Sequence, residues 1–232
     1  MPLAQLVRQH YPQAQRLREF RASLLERLGT TVGATTENTL LGTSLCADDI
    51  LATKDITHTI CGPFNTGGLA GLPFGGRTAI TAFLHHIPEN GVGLLVHGPH
   101  VGIARDGTIG KLRRAGQSHD STCCGSLMAA IAQLKAGPAV MPDVPPDPDD
   151  MEQSLLVRLL SPYRDRILTA DSPEREVTDV AYEVGQGMIE RLVAATRTQL
   201  GHGGRLVCIG IVVINTAPGE EDWIDLRAFR EV

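Results

Sequence analysis

The sequence is short of several things at once, and each shortage removes a class of protein. Its uninterrupted apolar runs are only a few residues long, far below the roughly 20 that a membrane-spanning helix needs. No run of lysines or arginines occurs, and 21 basic against 26 acidic residues give a formal charge of −5, which argues against a nucleic-acid partner. Residues 1–30 carry charge throughout and hold no apolar stretch of the kind a secretory signal uses. Glu19 and Glu26 in the same segment speak against a transit peptide. No internal repeat and no low-complexity tract is present. The cysteines are odd in number and lack framework spacing: Cys46, Cys61, Cys123, Cys124 and Cys208. Without an export signal, reduced thiols in a cytoplasmic setting are expected. There a cysteine cluster is more often a metal or reaction site than a staple.

What is present fits an ordinary globular chain. Its 232 residues, 42% hydrophobic and 20% charged, suit one generous domain over 1–232, since domains run to roughly 100–200 residues. Residues 3–28 show helical spacing (Leu3, Leu6, Val7, then Leu17, Phe20, Leu24, Leu25, Leu28). Pro12 is expected to split them into two helices and Gly29 to stop the second. These N-terminal helices, 1–30, would form a cover or a dimer arm. Segment 91–104, GVGLLVHGPHVGIA, reads as buried strand with a loop, and a short strand TIGKL follows a turn at Asp106-Gly107. Residues 118–122, SHDST, offer N-cap side chains for a helix that Gly137 closes. Residues 138–150 hold five of the 14 prolines and read as a rigid acidic connector. Helices are expected at 151–160 and 176–200. RLVCIGIVVINT, after the turn GHGG, is the strongest strand signal in the chain. Alternating helices and apolar strands point to an α/β fold, a mixed or mostly parallel central sheet covered by helices.

Chemistry concentrates in a few places. The glycine-rich GPFNTGGLAGLPFGG, 62–76, lacks the ending of a phosphate loop. It reads as close backbone packing, or as N–H groups shaping a small pocket. Of the eight histidines, His10, His58 and His202 are isolated, and His85 and His86 sit at a helix end. His97 and His100 stand where a buried strand finishes, the place where α/β sheets build sites. Cys123 and Cys124 precede a helical run, whose N-terminus favours thiolate. A nucleophilic cysteine with His100 as base is one reading. Cys46, in CADD, opens the other: two thiolates and an imidazole from three segments match a zinc site with one open position. Cys61 and Cys208 read as small buried apolar residues, Asp48 and Asp49 also fit helix-end acids, and Arg113 and Arg114 also fit a solvated face.

CADDI, GGLAGLPFGG, HHIP, GPHVGI with DGTIGKLRRAGQ, and STCCGS follow one another in this order. Together they resemble the limiting-CO2-inducible protein B family, also called theta-class carbonic anhydrases, over about residues 40–135 and more loosely to the C-terminal strand. The resemblance implies a β-carbonic-anhydrase-like fold, a homodimer, and zinc held by Cys46, His100 and Cys124, with Cys123 as a neighbour. It implies reversible hydration of CO2 by hydroxide generated at zinc, with Asp48 orienting or deprotonating the water, or occupying the fourth zinc position at rest. An arginine would hold that carboxylate away from the metal; Arg114 is the first candidate and Arg77 the second. Ile50 departs from the arginine that follows CxD in β-carbonic anhydrases. Leu69, Leu72 and Phe74 would line the CO2 pocket, and two thiolates would place best activity at mildly alkaline pH. A catalytically silent binding protein of the same fold and a zinc-free cysteine hydrolase are the alternatives.

Overall fold

A computed structural model describes residues 1–49, 60–137 and 145–232. Ile50, His58 and the first half of the proline-rich connector lie outside them. The helices are α1 (Leu3–His10), α2 (Leu17–Val32), α3 (Gly76–His86), α4 (Gly125–Ala136), α5 (Met151–Leu160), α6 (Arg164–Leu168) and α7 (Pro173–Thr196). The strands are β1 (Gln15–Arg16), β2 (Thr39–Leu45), β3 (Cys61–Asn65), β4 (Val92–Gly98), β5 (His100–Gly102), β6 (Lys111–Leu112), β7 (Ser121–Thr122), β8 (Arg205–Asn215) and β9 (Trp223–Glu231).

The central sheet runs β1-β9-β8-β4-β2-β3, with β5 joining β8 beyond the end of β4. The pairs β8–β4, β4–β2, β2–β3 and β5–β8 are parallel, while β9 and β1 pair antiparallel. Every residue of β2 and β4 is buried, and in β8 only Arg205 is not. Strands covered on both faces read as continuous apolar runs for that reason. On one face α2 lays Leu17, Phe20, Leu24, Leu28 and Val32 over the sheet. On the other, α3 with Ile80, Phe83 and Leu84 and α7 with Ile189 and Val193 cover Leu95 and Leu206. Helices α4–α7 enclose a further core that includes Leu72, Cys46 and Cys124. No helix among the described residues is long and apolar enough to cross a membrane.

Several local expectations are corrected. Helix α2 does not stop at Gly29 but runs to Val32, where Gly33 in the left-handed region (φ 65°) closes it. An interior glycine costs only about 1 kcal/mol, and burial of Leu28 and Val32 outweighs it. Helix α7 starts earlier than its apolar stripe, at Pro173, because Ser172 accepts a hydrogen bond from the Arg175 amide. Ser121 and Thr122 form strand β7 and do not cap α4, whose N-cap Cys124 makes no side-chain cap bond. Cys61 lies exposed on edge strand β3, whereas Cys208 is buried.

Candidate metal centre

The carboxyl ends of β2 and β4 and the start of α4 converge on one spot. Cys46 follows the last residue of β2, His100 opens β5 just beyond β4, and Cys124 precedes Gly125 of α4. The step from β4 to β5 is fixed by backbone crowding. Gly98 (φ +147°) lies where a Cβ would come within 1.7 Å of the Ile211 carbonyl oxygen. Gly71 (φ +71°) packs so that its own Cβ would meet the Gly98 carbonyl oxygen at 2.0 Å. No other residue tolerates either position. The glycine-rich segment thus serves close backbone packing, and it also donates: the Ala70 N–H reaches Cys46 Sγ at 3.1 Å.

The donor atoms of Cys46, His100 and Cys124 all lie within 4.8 Å of one another, and all three residues are buried. The two sulfurs are 3.5 Å apart, and the Ser126 hydroxyl lies 3.0 Å from Cys124 Sγ. The hydrogen bond between the two cysteines, with Cys46 as the proton-bearing partner, holds Cys124 well below the thiol range and pushes Cys46 above it. Burial opposes charge on His100, but the surrounding sulfurs overturn it and raise the imidazole well above its usual value. His100 Nδ1 is 2.7 Å from Asn215 Oδ1. His100 Nε2 is buried and has no hydrogen-bond partner among the described residues. An orphaned ring nitrogen beside two thiols is the donor set of a tetrahedral zinc site with one position left over.

Cys123 stands outside the cluster, its sulfur 3.7 Å from His100 Nδ1 and 3.6 Å from Asn215 Oδ1. Asp48 stands beside the cluster. Its Oδ2 accepts from the Gly125 amide at 2.9 Å and lies 3.8 Å from His100 Nε2, while its Oδ1 is 3.6 Å from Arg114. The cap that the sequence places in SHDST is therefore supplied by this carboxylate. Arg114 is fixed by Ser121 Oγ at 2.6 Å and the Thr122 carbonyl at 3.1 Å. Arg113 pairs instead with Asp120, and Arg77 is exposed in the first turn of α3. Leu72 is fully buried in the same core as Cys46 and Cys124, with Leu69 and Phe74 packed against it.

The residues the sequence does not reveal are Asn215 and Asp222. Asn215 ends the apolar strand β8, and its Nδ2 donates to Asp222 Oδ2 at 3.2 Å and to Asp49 Oδ1 at 3.3 Å. Asp222 Oδ1 accepts from the Thr216 amide at 2.8 Å. Burial pushes Asp222 up to about 6. A polar residue closing the run IGIVVIN was the available signal.

Known proteins share this fold. The crystal structure of PtLCIB4, a homolog of the limiting CO2-inducible protein LCIB, superposes with a TM-score of 0.91 at 31% identity, covering 98% of this chain and 94% of that one. A crystal structure of the same homolog carrying a single serine-to-arginine substitution gives 0.82 at 30% identity, over 97% and 93%. LCIB itself shares the fold, with a TM-score of 0.73 at 22% identity over 96% and 92%. No match is found among functionally curated proteins. Residues 17–232 match the family described as limiting CO2-inducible proteins B/C beta carbonic anhydrases, and the chain belongs to that family.

Proposed function

We propose that this chain is a zinc-dependent carbonic anhydrase that interconverts CO2 with bicarbonate and a proton. The observation that carries the proposal is His100 Nε2, buried and without a hydrogen-bond partner among the described residues, beside two thiols 3.5 Å apart. Cys46, His100 and Cys124 would hold the metal. When bound, zinc supplies Lewis acidity that brings the pKa of a water towards ~7.

The chain's own groups do the rest. The Ala70 N–H and the Ser126 hydroxyl hydrogen-bond to the two sulfurs and temper their charge. Asp48 Oδ2, the carboxylate oxygen nearer His100 Nε2, is the acceptor for a proton at the reacting centre. The Gly125 amide and Arg114 hold this carboxylate in place by charge-assisted contacts. With 36% of its side chain exposed, Asp48 can pass the proton on to solvent. CO2 is small and apolar, and Leu69, Leu72 and Phe74 supply the dry wall it needs.

The same reading takes residues 1–232 as a single zinc-binding domain that acts as a cytoplasmic homodimer, with helices 1–30 as cover or dimer arm. Free cysteines throughout the described residues support a reducing setting. Stopped-flow CO2 hydration on zinc-quantified protein tests the activity, and a folded, zinc-loaded sample that fails to accelerate hydration over buffer refutes it. Light scattering tests the dimer.

A further inference from the structure

His100 has two ring nitrogens, and only one faces the thiols. Which of them carries the proton is decided by what its neighbours can donate or accept. An ionised carboxylate only accepts, whereas an amide has one accepting and one donating end. The chain of contacts can therefore be followed from Thr216 inwards. The Thr216 amide must donate, so it takes Asp222 Oδ1 at 2.8 Å. The other oxygen of Asp222, with Asp49 Oδ1, requires a donor and finds Asn215 Nδ2 at 3.2 and 3.3 Å. The oxygen end of the amide then faces His100 Nδ1 at 2.7 Å, and the Cys123 thiol converges on the same oxygen at 3.6 Å. In the neutral, ligating form of the imidazole, an accepting oxygen fixes the one remaining proton on Nδ1 and leaves Nε2 with a free lone pair. Among the described residues that nitrogen has no hydrogen-bond partner.

We propose that Asn215 and Asp222 are positioning residues that select the His100 tautomer, with Asp222 turning the Asn215 amide so that the metal-facing nitrogen is the one able to ligate. The proposal rests on the zinc reading above but makes no use of turnover. It also accounts for an amide, and not a carboxylate, against His100. Two thiolates already neutralise a divalent ion, and a third anionic partner on Nδ1 would push the histidine towards a further negative charge.

Three variants test it through zinc affinity, measured by chelator competition, and through the absorption spectrum of the cobalt-substituted protein. Asn215→Leu removes the acceptor, and loss of such an outer partner weakens metal binding by about 10–100-fold. Asp222→Asn is subtler. The Thr216 amide keeps the oxygen of the new side chain, so its NH2 is aimed at Asn215 Nδ2, donor against donor. The Asn215 amide is driven to turn over, and zinc affinity falls in the same range. Because this substitution removes a buried charge, melting should be no lower than in the parent slightly above neutral pH, which separates positioning from a merely structural role.

The swap Asn215→Asp with Asp222→Asn restores every donor to an acceptor: His100 Nδ1 and the NH2 newly placed at position 222 both meet the carboxylate at 215. It should recover at least half of the lost affinity on a logarithmic scale and return the cobalt spectrum to the parental form. Asp49, a like charge against the new carboxylate, limits the recovery. Zinc affinity within about twofold of the parent in both single variants, or a swap that binds no tighter than Asp222→Asn, overturns the proposal. A parent that binds zinc without hydrating CO2 refutes the proposed activity alone; a parent that binds no zinc overturns both.

Discussion

Asp48 sits where two explanations of one carboxylate can be separated by replacing it with asparagine. Its Oδ2 accepts from the first amide of α4 at 2.9 Å, and its Oδ1 faces Arg114 at 3.6 Å. Asparagine keeps an acceptor for that amide, so Asp48→Asn forfeits only the charge. The interaction with the helix N-terminus is worth about 0.3–1 kcal/mol, and a half-exposed ion pair about 0–1 kcal/mol. A loss near 1 kcal/mol lowers the melting temperature by about 2–4 °C in a chain of this size. Zinc content should not change. If the carboxylate also takes a proton at the reacting centre, CO2 hydration should fall by about 10²–10⁴-fold, far more than so small a loss of stability explains. Asp48→Ala then calibrates the cap: it removes the acceptor as well and should cost about 1 kcal/mol more. Thermal melting and stopped-flow hydration on the same zinc-analysed samples read the two effects separately. Near-normal hydration by zinc-loaded Asp48→Asn would confine Asp48 to capping and move the proton step to Asp49, whose Oδ1 already accepts from Asn215.

The remaining expectations concern the metal donors and pH. Cys46→Ala, His100→Ala and Cys124→Ala should each lose most bound zinc, because the ligands supply the binding energy directly; full retention in any one rejects that ligand. Cys123→Ser should keep zinc by elemental analysis, since its hydroxyl can still donate to Asn215 Oδ1; loss of zinc there with retention in Cys124→Ser would shift the ligand by one residue. Asp222, raised to about 6 by burial, binds its proton more tightly folded than unfolded. Its contribution is therefore full below the unfolded value and is lost as pH rises through about 6, a swing of about 3 kcal/mol. Denaturant titrations of the parent and Asp222→Asn should diverge across that window, and parallel pH profiles would contradict the assignment.

The parts of the fold that the sequence reveals are those where one physical requirement dominates. Strand β8 must be apolar on both faces, and its residues announce it. Helix α7 shows its buried stripe, and Pro12 ends α1 near His10 as a missing N–H should. Strand β9 is hidden because only Trp223, Ile224 and Asp225 are buried, and the exposed or half-buried rest mixes Arg227, Arg230 and Glu231 with Leu226, Ala228 and Phe229. Helix α2 overruns Gly29 because tertiary burial of Val32 outweighs a local preference. In each miss a contact distant in sequence overrides what neighbouring residues favour.

The site divides along the same line. Cys46, His100 and Cys124 stand out because thiols and imidazoles at strand and helix ends are rare enough to notice. Their meeting within 4.8 Å follows from the carboxyl ends of β2 and β4 and the start of α4 converging at one end of the sheet. The groups that orient them have no such signature. Asn215 lies 115 residues from His100 in sequence, and an asparagine after a run of valines and isoleucines reads as the end of a strand. What makes it informative is the direction of its amide. That direction depends on an aspartate seven residues further on and on the amide of Thr216, neither of which has a distinctive pattern. A ligand's identity can be read from its side chain, but its protonation is set by the acceptors behind it, and these become visible only when β8 and the turn before β9 are placed together. The same contacts set the order of failure under mutation. A lost donor should remove the metal outright, whereas a turned amide should weaken it while the sheet and its helices remain intact.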